Sequence, residues 1–234
     1  MNDWQSTWLG RRSLPRDLSG FEIEAFFTFS GNERRVIEER RGPALKIALA
    51  LQIGFLRMTG RLLEAVRMVP PALWRHLGKQ FDVVAPDLAS LRVMYRRRRT
   101  LFEHQGVACE TLGFHWLSEA QRRALKRVLR EELGRTSDRA RLLQFARRWL
   151  YEHRLIVPRE RELRTMIAQA ICAHEVQLAR TIVGAVDPAL LGEWRTILTR
   201  PRESGATVQS WLWAAPAKHS SRQIEEVLER GSSC

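Results

Sequence analysis

Several residue types and patterns are scarce in this chain, and each shortage excludes a class of protein. The three cysteines, Cys109, Cys172 and Cys234, are too few and too far apart for a disulfide framework or a paired metal site. They suit a reducing cytoplasm. No apolar run reaches the roughly 18–20 residues of a membrane span, and we find no signal-peptide pattern. We therefore expect a cytoplasmic protein with no membrane partner.

Positive charge, in contrast, is abundant. The 234 residues include 39 basic and 26 acidic side chains, a net charge of +13, and the pI is near 11.0. Only four of the basic residues are lysines. The excess is largest over residues 117–170 and falls to zero over 171–234. Such a charge indicates a polyanionic partner, with nucleic acid the first candidate.

The spacing of the apolar side chains predicts an all-α protein of two small helical bundles with helix-turn-helix-like elements. Ser30 and Ser118 are predicted N-caps. The segment Ala44–Thr59 is apolar nearly all round, which indicates a buried central helix, and one continuous helix is predicted from Pro86 to about Gln105. The predicted organisation is an N-terminal extension at 1–19, a first DNA-binding module at 20–113, a second module at 117–230 and a tail at 231–234.

Catalytic and cofactor motifs are missing from the sequence. It contains no glycine-rich nucleotide-binding loop and no H-E-x-x-H, G-x-S-x-G or C-x-x-C pattern. Glu103 and His104 are neighbours in the basic region, but adjacent residues on a helix do not face each other. The pair therefore favours a structural hydrogen bond, or a polar helix end beside a phosphate, over acid–base catalysis. We expect no catalytic residue, metal or cofactor.

The strongest positive signal is a run of arginines on the helix predicted from Pro86 to Gln105. If this helix is continuous, Arg92, Arg96 and Arg99 share one face with Glu103, opposite the apolar side. Forked guanidinium groups in such a row suit phosphates and guanine edges, although a merely solvated face is the alternative. The predicted DNA contacts of the first module are Arg92, Arg96, Arg97, Arg98, Arg99 and His104.

A second basic row lies on the helix predicted after Ser118. Acidic residues at both ends of this row make the signal weaker than that of the first. The predicted contacts here are Arg122, Arg123, Lys126, Arg127 and Arg130. Supporting candidates outside both rows are Arg40, Arg41 and Arg57.

Four stretches, in this order, resemble the N-terminal region of the large transposases of the Tn-three family, the replicative enzymes of class II bacterial transposons. Together they cover most of the chain from about residue 26 to 230. They are FFTFSGNERRVIEERRGPALKIALALQIGFLRMTGR at 26–61, YRRRRTLFEHQGVACETLGF at 95–114, ARRWLYEHRLIVPRERELRTMIAQA at 146–170 and SWLWAAPAKHSSRQIEEVLER at 210–230.

The resemblance implies a helical region that binds double-stranded DNA at the terminal inverted repeats of a transposon. In that family, strand cleavage and joining need a carboxylate triad far downstream, so we expect this chain to be a truncated transposase without enzymatic activity. Full-length transposase is a possible second partner, and the nucleoid is the expected location. Two alternatives stay open: a stand-alone DNA-binding regulator of transposition, and a helical adaptor for an acidic protein partner.

Overall fold

The computed structural model describes residues 7–84, 86–202 and 205–213. Within these ranges the chain forms helices and no β-strand, which confirms the predicted all-α class. The helices are α1 (Gly20–Phe27), α2 (Gly31–Glu38), α3 (Pro43–Thr59), α4 (Pro71–Phe81), α5 (Leu88–Arg96), α6 (Arg98–Leu112), α7 (Glu119–Leu133), α8 (Arg139–Glu152), α9 (Glu160–Ala185), α10 (Pro188–Thr199) and α11 (Val208–Trp213). No helix of the described ranges is both long enough and apolar enough to cross a membrane.

Local capping chemistry sets where several helices begin. The predicted N-caps Ser30 and Ser118 are confirmed: each forms a reciprocal capping box, with Glu33 and Gln121 respectively. The same motif begins α1 at Ser19. Short sequence signals thus position the first turns of these helices without help from distant residues.

The first hydrophobic core is built around α3, as its apolar sequence predicts. Nearly every α3 side chain from Ile47 to Thr59 is buried, and α1, α2, α4, α5 and α6 pack around this helix. Gly54 has a specific role here, because the ring of the buried Phe27 lies directly against its Cα. The surrounding helices therefore pack against one central helix whose side chains are almost all apolar.

A second hydrophobic core is formed by α7, α8 and the first half of α9, with Leu125, Leu142 and Leu163 fully buried. It joins the first core directly. The amide N–H of Val157 donates to the Gly60 carbonyl at 2.8 Å, and the Tyr151 hydroxyl donates to the Arg57 carbonyl at 2.7 Å. The boundary between a first module at 20–113 and a second at 117–230 stays a prediction.

Both cores belong to one compact unit that extends to His174. A second unit begins at Glu175 and contains the end of α9 with α10 and α11. In that unit the guanidinium of Arg202 stacks 3.8 Å from the ring centroid of Trp211. The predicted tail at 231–234 lies outside the described residues.

One predicted element is wrong. The helix predicted from Pro86 to Gln105 is two helices, because Arg97 has an extended backbone (φ −79°, ψ 98°) between α5 and α6. The break lets both helices bury their apolar sides: Tyr95 anchors α5 by donating to the Ala48 carbonyl at 3.0 Å, while α6 turns Ala108 into the core. Arg92, Arg96 and Arg99 therefore do not share one continuous helix face.

Candidate nucleic-acid interface

The arginine run lies at the junction of α5 and α6, where all four side chains from Arg96 to Arg99 are exposed. None of the four forms an ion pair with a carboxylate in the described part of the chain. Helix α6 begins without a side-chain cap and without an acidic residue in its first turn. Its N-terminus thus combines a positive helix dipole with unneutralised guanidinium groups, a combination that favours a bound anion.

The guanidinium of Arg92 forms hydrogen bonds within the protein. Its Nε donates to the Val66 carbonyl at 3.1 Å, and its Nη2 donates to the Arg67 carbonyl. These bonds tie α5 to the irregular segment that follows α3. The predicted DNA contact at this position therefore competes with a structural role.

His104 is buried, with 1% of its surface exposed, and this removes it from any surface interface. Its Nδ1 lies 3.1 Å from the Tyr95 hydroxyl. Since that hydroxyl already donates its only proton to the Ala48 carbonyl, Nδ1 must be the donor to the hydroxyl oxygen. The imidazole is a neutral core hydrogen-bonding group, which agrees with the structural hydrogen bond favoured for the Glu103–His104 pair.

This burial predicts a pH-dependent stability. Burial, together with the nearby Arg40 charge, lowers the pKa of His104 from 6.5 to about 4. Because the folded pKa lies below the unfolded value, the stabilisation is present above pH 6.5 and is lost as the pH falls toward 4. In the wild type, His104 should lower the unfolding free energy by up to about 3 kcal/mol between pH 6.5 and pH 4. A His104→Gln variant should lack this decrease. Urea unfolding at pH 7, 6, 5 and 4 measures it, and parallel profiles of variant and wild type would contradict the expectation.

The second basic row, on α7, divides into paired and unpaired members. Arg122 binds Glu162 of α9 and lies 3.3 Å from Glu119 of its own helix. Lys126 is half-buried. The exposed members without an ion pair among the described residues are Arg123, Arg127 and Arg130.

Two of the three supporting candidates have structural partners. Arg40, in the turn after α2, pairs with Glu103 of α6 at 2.6 Å. Arg57 bonds Glu33 at 2.5 Å and also donates to the carbonyls of Phe26 and Thr28. Arg41 remains exposed.

Burial raises the pKa of Glu33, whereas the hydrogen bonds from Ser30 and Arg57 lower it. The net result is a pKa below the ordinary value of a glutamate. The carboxylate therefore stays ionised beside Arg57 at neutral pH. This ion pair fixes the packing of α2 against α3, and it leaves the Arg57 guanidinium little capacity for an external phosphate.

A cleft of about 730 Å³ between the two cores is a feature that the sequence did not predict. One wall is the face of α6 formed by Arg98, Leu101, Phe102 and Gln105, whose spacing of three, one and three residues is a helical signal readable in the sequence. The rest of the lining comes from distant segments and includes Arg61, Glu64, Trp116, Arg122, Arg159 and Glu162. No sequence pattern brings these segments together.

No cluster of three or more histidine, cysteine, aspartate or glutamate side chains that could hold a metal ion occurs within the residues that the structure describes. The exposed titratable groups of the candidate interface are mainly arginines. Guanidinium groups recognise anions through charge and through hydrogen bonds.

Comparison with known proteins identifies the relatives of this chain. The sequence model of a family described as a domain of unknown function, DUF4158, matches residues 6–170. The transposase for insertion sequence element IS1071 in transposon Tn5271 of Comamonas testosteroni is 57% identical over 98% of this chain and 24% of its own length. The transposases for transposon Tn1546 of Enterococcus faecium and transposon gamma-delta of Escherichia coli (strain K12) are 24% and 22% identical over 89% of the chain.

The chain spans about a quarter to a fifth of the length of these curated relatives. The resemblance to the transposase N-terminal region is confirmed. The predicted contact residues stay predictions, because similarity along the chain does not show which side chains touch DNA.

Proposed function

We propose that this chain, which belongs to the family described as a domain of unknown function, DUF4158, serves DNA transposition by binding double-stranded DNA at the terminal inverted repeats of a transposon. Cleavage and joining would then be carried out elsewhere in a longer transposase. In this proposal the chain acts on the nucleoid and meets full-length transposase at the same DNA ends.

The observation that carries the proposal is the exposed arginine junction between α5 and α6. A run of like charges at the positive end of a helix costs stability unless an anion neutralises it. Several other arginines of the described structure, such as Arg40, Arg57 and Arg147, are paired with carboxylates. Arg96, Arg97 and Arg99 pair with no carboxylate among the described residues, and DNA phosphates supply the missing negative charge.

The test is the double variant Arg97→Ala/Arg99→Ala, compared with Arg16→Ala/Arg75→Ala, which removes the same charge from two other exposed positions. If the junction contacts phosphates, the first variant should weaken binding to every duplex. It should also lower the slope of log K against log salt by about 0.9 for each phosphate that is no longer neutralised. If one arginine instead reads a guanine edge, the loss should be about 1–3 kcal/mol and confined to the terminal repeat.

Binding isotherms on terminal-repeat and random duplexes at several salt concentrations provide the measurement. Equal slopes for both double variants would refute an interface at the junction and direct attention to Arg123, Arg127 and Arg130. No duplex binding by the wild-type chain would instead favour the adaptor hypothesis, in which an acidic protein meets the basic surface. Thermal melts check that both double variants fold, and the first should be at least as stable as wild type, because it removes two positive charges from the N-terminus of α6, each costing about 0.3–1 kcal/mol.

A further inference from the structure

The cleft between the two cores combines cationic and aromatic side chains in a way that duplex binding does not require. Phe102 on α6 and Trp116 before α7 both line it, although 61% and 69% of their surfaces are exposed. Neither ring belongs to the hydrophobic cores. Two large aromatic side chains thus leave apolar area in water, at a cost that a ligand would relieve.

The charge of the lining is positive. Four arginines, Arg61, Arg98, Arg122 and Arg159, face two glutamates, Glu64 and Glu162. Arg159 lies 3.2 Å from Glu64, and Arg122 is bonded to Glu162. Arg98 has no ion pair with a described residue, so its guanidinium is available to an anion that enters the cleft.

We propose that this cleft binds single-stranded DNA, with an unpaired base stacked on Trp116 or Phe102 and the adjoining phosphate on Arg98. Aromatic side chains interleaved with cationic ones are the recurring means by which proteins hold single strands. An acidic peptide would satisfy the arginines but would leave both rings without a stacking partner. The rings therefore favour a nucleotide over a peptide.

The size and form of the cleft are consistent with an unpaired base. Its volume of about 730 Å³ lies within the range of about 300–1,000 Å³ typical of ligand pockets. A base inside a duplex offers only its edges to a protein, because both faces are stacked on neighbouring base pairs. Stacking on Trp116 or Phe102 therefore requires a nucleotide that is already unpaired or has left the helix.

This inference goes beyond the proposed function, since duplex binding at the α5–α6 junction does not depend on an occupied cleft. The two surfaces nevertheless adjoin, because Arg97 and Arg99 flank Arg98 in sequence. A DNA molecule with both paired and unpaired segments would engage the junction through its duplex and the cleft through its single strand. The substrate class assigned to the cleft is accordingly an unpaired stretch of DNA.

The experiment measures two probes on the full chain: a 12-nucleotide oligo-dT containing one central 2-aminopurine, and a fully paired duplex of random sequence. The variants are Phe102→Ala and Trp116→Ala. The matched controls are Phe21→Ala and Trp213→Ala, which remove exposed aromatic rings that do not line this cleft. Loss of a stacking platform should weaken single-strand binding by about 5- to 150-fold, and duplex affinity should change less than twofold.

Stacking also quenches 2-aminopurine fluorescence, which provides a readout that a purely structural role would not change. The quenching should disappear in Trp116→Ala or Phe102→Ala and persist in both controls, and Trp116→Phe should restore part of it. Unchanged single-strand affinity and quenching in both cleft variants would overturn the proposal. So would an equal loss of affinity for the single strand and for the duplex. Failure of duplex binding alone would refute only the proposed function.

Discussion

Replacement of Gln52 by leucine should lower the free energy of unfolding by about 1–3 kcal/mol. Gln52 is completely buried in α3, and its amide pairs with the backbone of Leu63 in the segment after that helix. Its Nε2 donates to the Leu63 carbonyl at 2.8 Å, and its Oε1 accepts from the Leu63 N–H at 3.1 Å. Leucine fills a similar volume but leaves this N–H without an acceptor, and each buried polar group left unsatisfied costs about 1–3 kcal/mol.

The same Leu63 carbonyl also accepts a hydrogen bond from Gln105 of α6 at 3.2 Å, so the substitution should weaken the attachment of α6 as well. Gln52 and Gln105 together tie α6, which carries Arg98 and Arg99, to the central helix. Urea unfolding of Gln52→Leu measures the effect. Gln144→Leu, an exposed substitution on α8, is the matched control and should change stability by less than about 0.5 kcal/mol. A loss below 1 kcal/mol for Gln52→Leu would mean that the core relaxes to satisfy Leu63 by other means.

Gly54→Ala should also be destabilising, by up to about 2 kcal/mol, because an overpacking cost of about 1–3 kcal/mol exceeds the advantage of about 1 kcal/mol that alanine has as a helix former. A Cβ at this position would lie 2.1 Å from Cδ1 of Phe27, whose ring is itself completely buried. The ring cannot withdraw without opening a gap elsewhere in a close-packed core, and overpacking of this kind outweighs the gain in helix propensity.

Gly106→Ala is the control with the opposite expected sign. Gly106 lies within α6, is exposed, and has open space where its Cβ would be. This substitution should stabilise the chain by up to about 1 kcal/mol. Denaturant midpoints of the two variants should therefore move in opposite directions. Partial recovery in Gly54→Ala/Phe27→Leu would identify the ring as the cause, and additive effects of the two substitutions would exclude it.

Much of the helical framework is predictable because its signals are local. The sequence predicts Ser30 and Ser118 as N-caps and Ala44–Thr59 as a buried helix. The observed α3 begins at Pro43, one residue before the predicted start, and ends at Thr59 as expected. Capping boxes act over three residues, and an all-round apolar helix can only be buried. The break at Arg97 is not predictable in this way, because four arginines carry no turn signal and the packing of Tyr95 and Ala108 decides it.

The candidate site is only partly readable from sequence. The arginine run and the excess of positive charge are evident, and the interface proposed at the α5–α6 junction rests on them. The commitment of Arg92 to backbone carbonyls and the burial of His104 are not evident. Both depend on which segments the fold brings beside α5 and α6.

The sequence by itself determined the helical class, the membership in a family with transposase relatives, and a strongly basic character. Tertiary structure alone decided which guanidinium groups are neutralised. Arg40 meets Glu103 across 63 positions of the chain, and Arg122 meets Glu162 across 40. Arg97, Arg98 and Arg99 are exposed and have no such partner within the part of the chain that the structure describes. The physical reason is that an arginine's availability to DNA depends on the carboxylates within about 4 Å of it in space, and a sequence gives spacing along the chain but not that distance.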